Sequence, residues 1–138
     1  MIGLKALRYV RLGTSDSESA GEYARKVLGL ELVRREGEST YFRGDDRDHT
    51  LVYFEGDPAN HATGWEVSDR SALAAAGAEL EAKRIRATPG TRSECEQRYV
   101  DDFLWFADPS GNRHELVVSP RASSTRFSAS REIGRAHV

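Results

Sequence analysis

Residues 7–14, Leu-Arg-Tyr-Val-Arg-Leu-Gly-Thr, interleave β-favouring apolar residues with polar ones and predict a strand, ended by the helix-start pair Ser15-Asp16. Ala20, Tyr23, Ala24, Val27 and Leu28 then recur at helical spacing as far as Gly29, a natural helix stop. Short strands are predicted at Glu31–Arg35, Thr40–Arg43 and His49–Glu55, parted by Gly37 and the Gly44-Asp45-Asp46 turn. After the connector 56–60 the order repeats. Ala62–Val67 reads as a strand and Ser68-Asp69 as a second helix start, with Ala72, Leu73, Ala76 and Leu80 as the helix's apolar face. Strands follow at Arg84–Thr88, Phe103–Ala107 and Arg113–Val118, with a Pro89-Gly90 turn, a polar stretch around Cys95 and an Asp108-Pro109-Ser110-Gly111 turn between them.

The two halves superpose in sequence. Tyr9–Asp16 lies over Ala62–Asp69 with an offset of 53, and Asp48–Val52 lies over Arg113–Val117 with an offset of 65. The pattern predicts an α+β chain of two tandem βαβββ modules, the first spanning about 4–56 and the second about 61–120.

Charge changes the picture at one end only. Over 138 residues, 20 Lys and Arg stand against 22 Asp and Glu, a net of −2, which argues against a nucleic-acid partner. Residues 121–138 hold four Arg and one Glu, a net of +3 that leaves −5 on residues 1–120. That Ser-rich segment has too little apolar surface to offset the entropy of ordering, so 121–131 reads as a linker. One codon choice for Glu132–Val138 reproduces the start of a widely used sequencing adapter. Residues 132–138 are therefore expected to be translated adapter, with the natural gene running on past Arg131. A content of 38% hydrophobic and 30% charged residues suits a globular fold. No apolar run reaches the roughly 18 residues of a membrane span. No signal peptide is visible and a single Cys95 excludes an internal disulfide, so a cytoplasmic protein is expected.

Paired βαβββ modules with the turn Asp108-Pro109-Ser110-Gly111-Asn112 feeding Arg113-His114-Glu115-Leu116-Val117 resemble the vicinal oxygen chelate superfamily. Glyoxalases, bleomycin-resistance proteins and type I extradiol ring-cleaving dioxygenases belong to it. Leu7–Val10, Tyr41–Arg47 and Asp108–Glu115 look most like the N-terminal domain of the extradiol dioxygenases. The resemblance implies an open cupped mixed sheet and, in metal-using members, ligands from equivalent points of each module. It also implies an aromatic diol and O2 as reactants of an intact enzyme. Fe(II) or Mn(II) would then sit in a C-terminal pair of modules missing from this chain.

The four implied ligand positions fall on Tyr9, Thr50, Ala62 and Glu115. Only Glu115 is a ready ligand for such a metal, and it would serve only in a single-domain metalloenzyme. Paired with an Arg inside the cup, it would be a relic carboxylate instead. His61 lies one residue from the Ala62 position, and a strand's period of two turns it to the other face. His49 and His114 lie next to the Thr50 and Glu115 positions and are expected to be outer-face histidines. Tyr9, Tyr41, Phe42, Phe103 and Trp105 read as core aromatics. The resemblance therefore implies a non-metal-binding domain of a ring-cleaving oxidoreductase, inactive alone. The alternative is a freestanding, homodimeric small-molecule binder of the bleomycin-resistance type. Either is expected to self-associate through exposed apolar surface.

Overall fold

The computed structural model describes residues 1–120; the expected linker 121–131 and adapter-like 132–138 lie outside the described residues. The elements are β1 (Ala6–Thr14), α1 (Ser17–Lys26), β2 (Glu31–Glu36), β3 (Ser39–Arg43) and β4 (Leu51–Glu55). They continue with β5 (Ala62–Glu66), α2 (Arg70–Ala82), β6 (Thr88–Pro89), α3 (Arg92–Arg98), β7 (Asp102–Ala107) and β8 (Arg113–Val118). The fold class is α+β, and each half is a βαβββ module.

In module one the strands neighbour one another in the order β2-β3-β4-β1, and in module two in the order β6-β7-β8-β5. The closing pairs β1/β4 and β5/β8 are parallel and the others antiparallel. Met1–Arg8 belong to the compact unit of module two, and Tyr9–His61 to that of module one. Lys5 donates its amide to the Glu66 carbonyl at 2.7 Å, and the Met1 amine meets Glu79 at 2.7 Å, which ties those first residues down.

Both long helices begin as the sequence predicts. Asp16 accepts from the Ser19 amide at 3.1 Å and Asp69 from the Ala72 amide at 2.7 Å, each satisfying a donor the helix itself leaves open. Their ends differ. The chain leaves α1 through Gly29 at φ 71°, whereas it leaves α2 through Arg84 at φ 62°. There the Arg84 amide bonds the Glu81 carbonyl at 2.9 Å and the Ile85 amide bonds Leu80 at 2.8 Å, a Schellman turn. A side chain in that left-handed conformation costs roughly 1 kcal/mol that glycine avoids.

The α2 face of module two is a closed apolar core of Val67, Leu73, Ala76, Leu80, Leu104, Leu116 and Val118. Strand alternation sends Phe103, Trp105, Glu115 and Val117 to the opposite face. That second face is not bare, because residues 92–98 are helix. Arg-Ser-Glu-Cys-Glu-Gln-Arg offers no apolar period, so this helix stands where only a polar stretch is expected. A capping box starts the helix, with the Thr91 hydroxyl accepting from the Glu94 amide at 3.1 Å and the Glu94 carboxylate accepting from the Thr91 amide at 2.9 Å. The strand expected at Arg84–Thr88 shrinks to Thr88–Pro89, because the Schellman turn occupies its first residues. Among the described residues no helix is long and apolar enough to cross a membrane.

Candidate functional site

Strand β8 points Glu115 into the face opposite α2, where it is 0% exposed. A lone carboxylate there would be strongly penalised by desolvation. Two guanidinium groups compensate it. Arg98, at the end of α3, donates from Nε to Glu115 Oε1 at 2.6 Å and from Nη2 to Oε2 at 2.9 Å. Arg113 Nε donates to Oε2 at 3.0 Å. Arg98 also donates to the Glu94 carbonyl at 3.2 Å and lies 4.8 Å above the Phe103 ring. Arg113 lies 4.1 Å above Trp105. The bidentate fork and the stacked aromatic planes hold both cations in place.

Module one buries a different polar group. Arg34 grips Asp48 through two bonds of 2.9 and 2.7 Å, and His49 Nδ1 lies 2.9 Å from the same carboxylate. Burial alone would raise the Asp48 carboxyl, but the hydrogen bonds from Arg34 and His49 outweigh it and hold it far below its ordinary 3.8. An ionised carboxylate only accepts, so His49 Nδ1 carries the proton. Burial pushes the His49 imidazole below its ordinary 6.5 despite the neighbouring Asp48. Its ring sits 5.4 Å from Tyr9 and 5.1 Å from Tyr41. His49 is thus a core residue at 5% exposure, not the outer-face histidine that alternation suggested.

His114 does lie on the α2-bearing face. It stacks on Trp65 and Phe106, with centroids 6.4 and 5.4 Å away. The Trp65 indole donates to its Nδ1 at 3.1 Å, so Nε2 carries the proton and donates to Asp108 at 2.9 Å. That bond, with the Asn112 and Ser110 amides, lowers Asp108 to about 2 despite some desolvation. Both imidazole nitrogens are engaged. His61 is half-buried immediately before β5.

The strand ladders also move one expected equivalence. Tyr9 and Ala62 keep their offset of 53, as do Asp16 and Asp69. Arg11, however, pairs with Val52 while Gly64 pairs with Glu115, an offset of 63 on the closing strands instead of 65. The module-one counterpart of Glu115 is Val52, and Thr50 lies over Arg113. His49 and His114 are consequently not equivalent, which is why one is in a polar core and the other in an aromatic stack. Thr50 lies just before β4, with its hydroxyl accepting from the Gly44 amide at 3.0 Å.

A six-coordinate Fe(II) or Mn(II) requires several imidazole and carboxylate donors converging with open positions beside them. Val52 and Ala62 offer no donor atom, Tyr9 is packed against His49, and both Glu115 oxygens are held by arginines. Among the described residues no group of three or more His, Cys, Asp or Glu side chains is placed to hold a metal ion. The described residues do not supply the ligand set with which metal-using members of such a fold would hold Fe(II) or Mn(II). The residue missed by sequence reasoning is Arg98. Its signal was the Thr91-x-x-Glu94 capping box, which places Arg98 at the end of the short helix.

Comparison with known proteins agrees with this architecture. The model of the glyoxalase/bleomycin resistance protein/dioxygenase superfamily matches residues 6–116. The iron-dependent extradiol dioxygenase of Rhodococcus jostii (strain RHA1) is 31% identical, over 86% of this chain and 44% of the relative. Biphenyl-2,3-diol 1,2-dioxygenase of Sphingomonas paucimobilis is also 31% identical, over 90% of this chain and 42% of the relative. Among solved structures, a halotolerant catechol dioxygenase superposes with a TM-score of 0.86 at 25% identity, over 94% of this chain and 44% of the other. A catechol 2,3-dioxygenase superposes with a TM-score of 0.84 at 25% identity, covering 93% and 46%. The chain belongs to the glyoxalase/bleomycin resistance protein/dioxygenase superfamily, and the two curated relatives named above are dioxygenases. It spans under half the length of those relatives.

Proposed function

We propose that this chain is the N-terminal, non-metal-binding pair of modules of an extradiol dioxygenase that cleaves catechol-like diols with O2. The observation that carries the reading is the Arg98–Glu115–Arg113 cluster, which spends the one carboxylate at a ligand position on internal ion pairs. The relatives' greater length supports it, since a second pair of modules has room in them to hold the iron. In this reading the domain's role is structural: it carries the catalytic pair and contributes no ligand to Fe(II) or Mn(II).

Anaerobic loading of the full chain with Fe(II), followed by desalting and iron determination, tests this. No retained iron and no yellow product from 2,3-dihydroxybiphenyl or catechol is the expected result. Near-stoichiometric iron, or a ring-cleavage activity lost in Glu115→Gln, overturns it. Appending the C-terminal part of the Rhodococcus relative is expected to bring iron binding and ring cleavage together.

A further inference from the structure

Module two holds a second feature that the ion-pair cluster does not use. Beside β6 a cleft of about 440 Å³ is lined by Arg84, Arg86, Thr88, Trp105, Ala107 and Asp108, among others. Its size suits a single-ring ligand. Trp105 is half-buried, and Arg113 covers one side of its ring from 4.1 Å, leaving its remaining surface to wall the cleft.

Arg84 and Arg86 reach this cleft without an ion pair among the described residues. Arg84 is there at a conformational cost. It occupies the left-handed position that closes the Schellman turn of α2, with φ 62°. Close to the end of α1 the same left-handed conformation is met by a glycine, Gly29 at φ 71°. Glycine is what this turn takes when only the turn matters. A strained side chain that makes no internal bond invites a role in binding. The one acid in the wall, Asp108, is already committed to His114, Asn112 and Ser110, so the cationic pair is left to a ligand.

We propose that this cleft binds a small planar aromatic carboxylate, with the ring against Trp105 and the carboxylate on Arg84 and Arg86. A neutral diol would use the ring wall and leave both guanidinium groups unanswered. A compact inorganic anion would use the guanidinium groups and leave the indole bare. Only a ligand with both features engages the whole site, and guanidinium forks match a carboxylate's geometry. The proposal concerns module two alone and stands whether or not the chain belongs to a dioxygenase.

The test is an NMR titration of the full ¹⁵N-labelled chain with sodium benzoate, reading the Trp105 indole signal, assigned by its loss in Trp105→Phe. Trp65, bonded to His114, is the internal reference. Benzoate is expected to shift Trp105 and not Trp65, and benzyl alcohol and inorganic phosphate at the same concentration are expected to do neither. Arg86→Gln and Arg84→Gly should each weaken benzoate by about threefold to fivefold, as expected for exposed ion pairs. Arg84→Gly should at the same time raise Tm, because glycine relieves the left-handed strain. An unmoved Trp105, or an equal response to benzyl alcohol or phosphate, overturns the proposal. So does Arg84→Gly raising Tm with benzoate affinity unchanged.

Discussion

The two modules share a strand order and a helix cap yet fill the core of their sheets in opposite ways. Module two seals its buried carboxylate from an added element, since Arg98 arrives on α3, an insertion between β6 and β7. Module one has no counterpart of α3. It compensates Asp48 from within its own sheet through Arg34 of β2 and packs His49 between Tyr9 and Tyr41. The strand position that carries Glu115 in one module carries Val52 in the other. The two copies share a backbone while each satisfies its buried charge in its own way, and among the described residues neither way leaves a metal-ligand set.

The largest expected difference comes from breaking each cluster. Arg98→Met removes two of the three charge-assisted bonds on a fully buried carboxylate and leaves it to Arg113 alone, and urea unfolding should show a loss of about 3 kcal/mol, recovered for the most part in the double variant with Glu115→Leu. Arg34→Met should cost less, about 1 kcal/mol, because Arg34 is more than a quarter exposed and His49 still answers Asp48. Equal losses would erase the distinction between the modules.

Packing comes next. A Cβ at Gly90 would lie 2.0 Å from the Phe103 ring, and one at Gly13 would lie 2.2 Å from the Asp57 carbonyl. Gly90→Ala should therefore cost about 2 kcal/mol by displacing the ring on which Arg98 stacks. Gly13→Ala meets backbone, which yields less than a side chain, and should cost more in a thermal melt.

Acid separates the modules further. The folded His49 imidazole titrates below 6.5, so the unfolded chain takes the proton first. Its contribution is complete above pH 6.5 and is lost as pH falls toward the folded value, at a slope of at most about 1.4 kcal/mol per pH unit. Asp48 is also lowered, so its contribution is present above 3.8 and is lost only below that. Unfolding followed between pH 7 and 5 should steepen in the parent chain and flatten in His49→Phe. Thr91→Ala removes one side of the capping box and should also cost about 1 kcal/mol of stability in urea unfolding.

The repeat, the helix starts at Asp16 and Asp69, and most strands were legible because each rests on local chemistry: a capping carboxylate, an apolar period, a turn residue. Helix α3 was hidden because its side chains are nearly all polar and its only mark is the pair Thr91 and Glu94. The equivalence of Thr50 with Glu115 rested on the shared Leu-Val that follows each, Leu51-Val52 and Leu116-Val117. Hydrogen-bond register, which sequence does not print, moved it by two. That Glu115 would meet an arginine was a reasonable expectation from burial alone. That the arginine would be Arg98, 17 residues away on an unread helix, was not.

The cluster around Glu115 also constrains what lineages of this domain can become. A path from this sequence to a metal site must free the carboxylate by losing Arg98 and must install imidazoles at positions such as Ala62 and Val52. A step taken alone at this cluster is expected to lower stability, since residues in direct contact do not contribute independently. Changing Arg98 first leaves the buried carboxylate to Arg113 alone, and changing Glu115 first discards the one carboxylate at an equivalent ligand position among the described residues. The ion pairs thus act as an evolutionary ratchet, holding the Glu115 carboxylate in internal contacts while the backbone remains that of the superfamily.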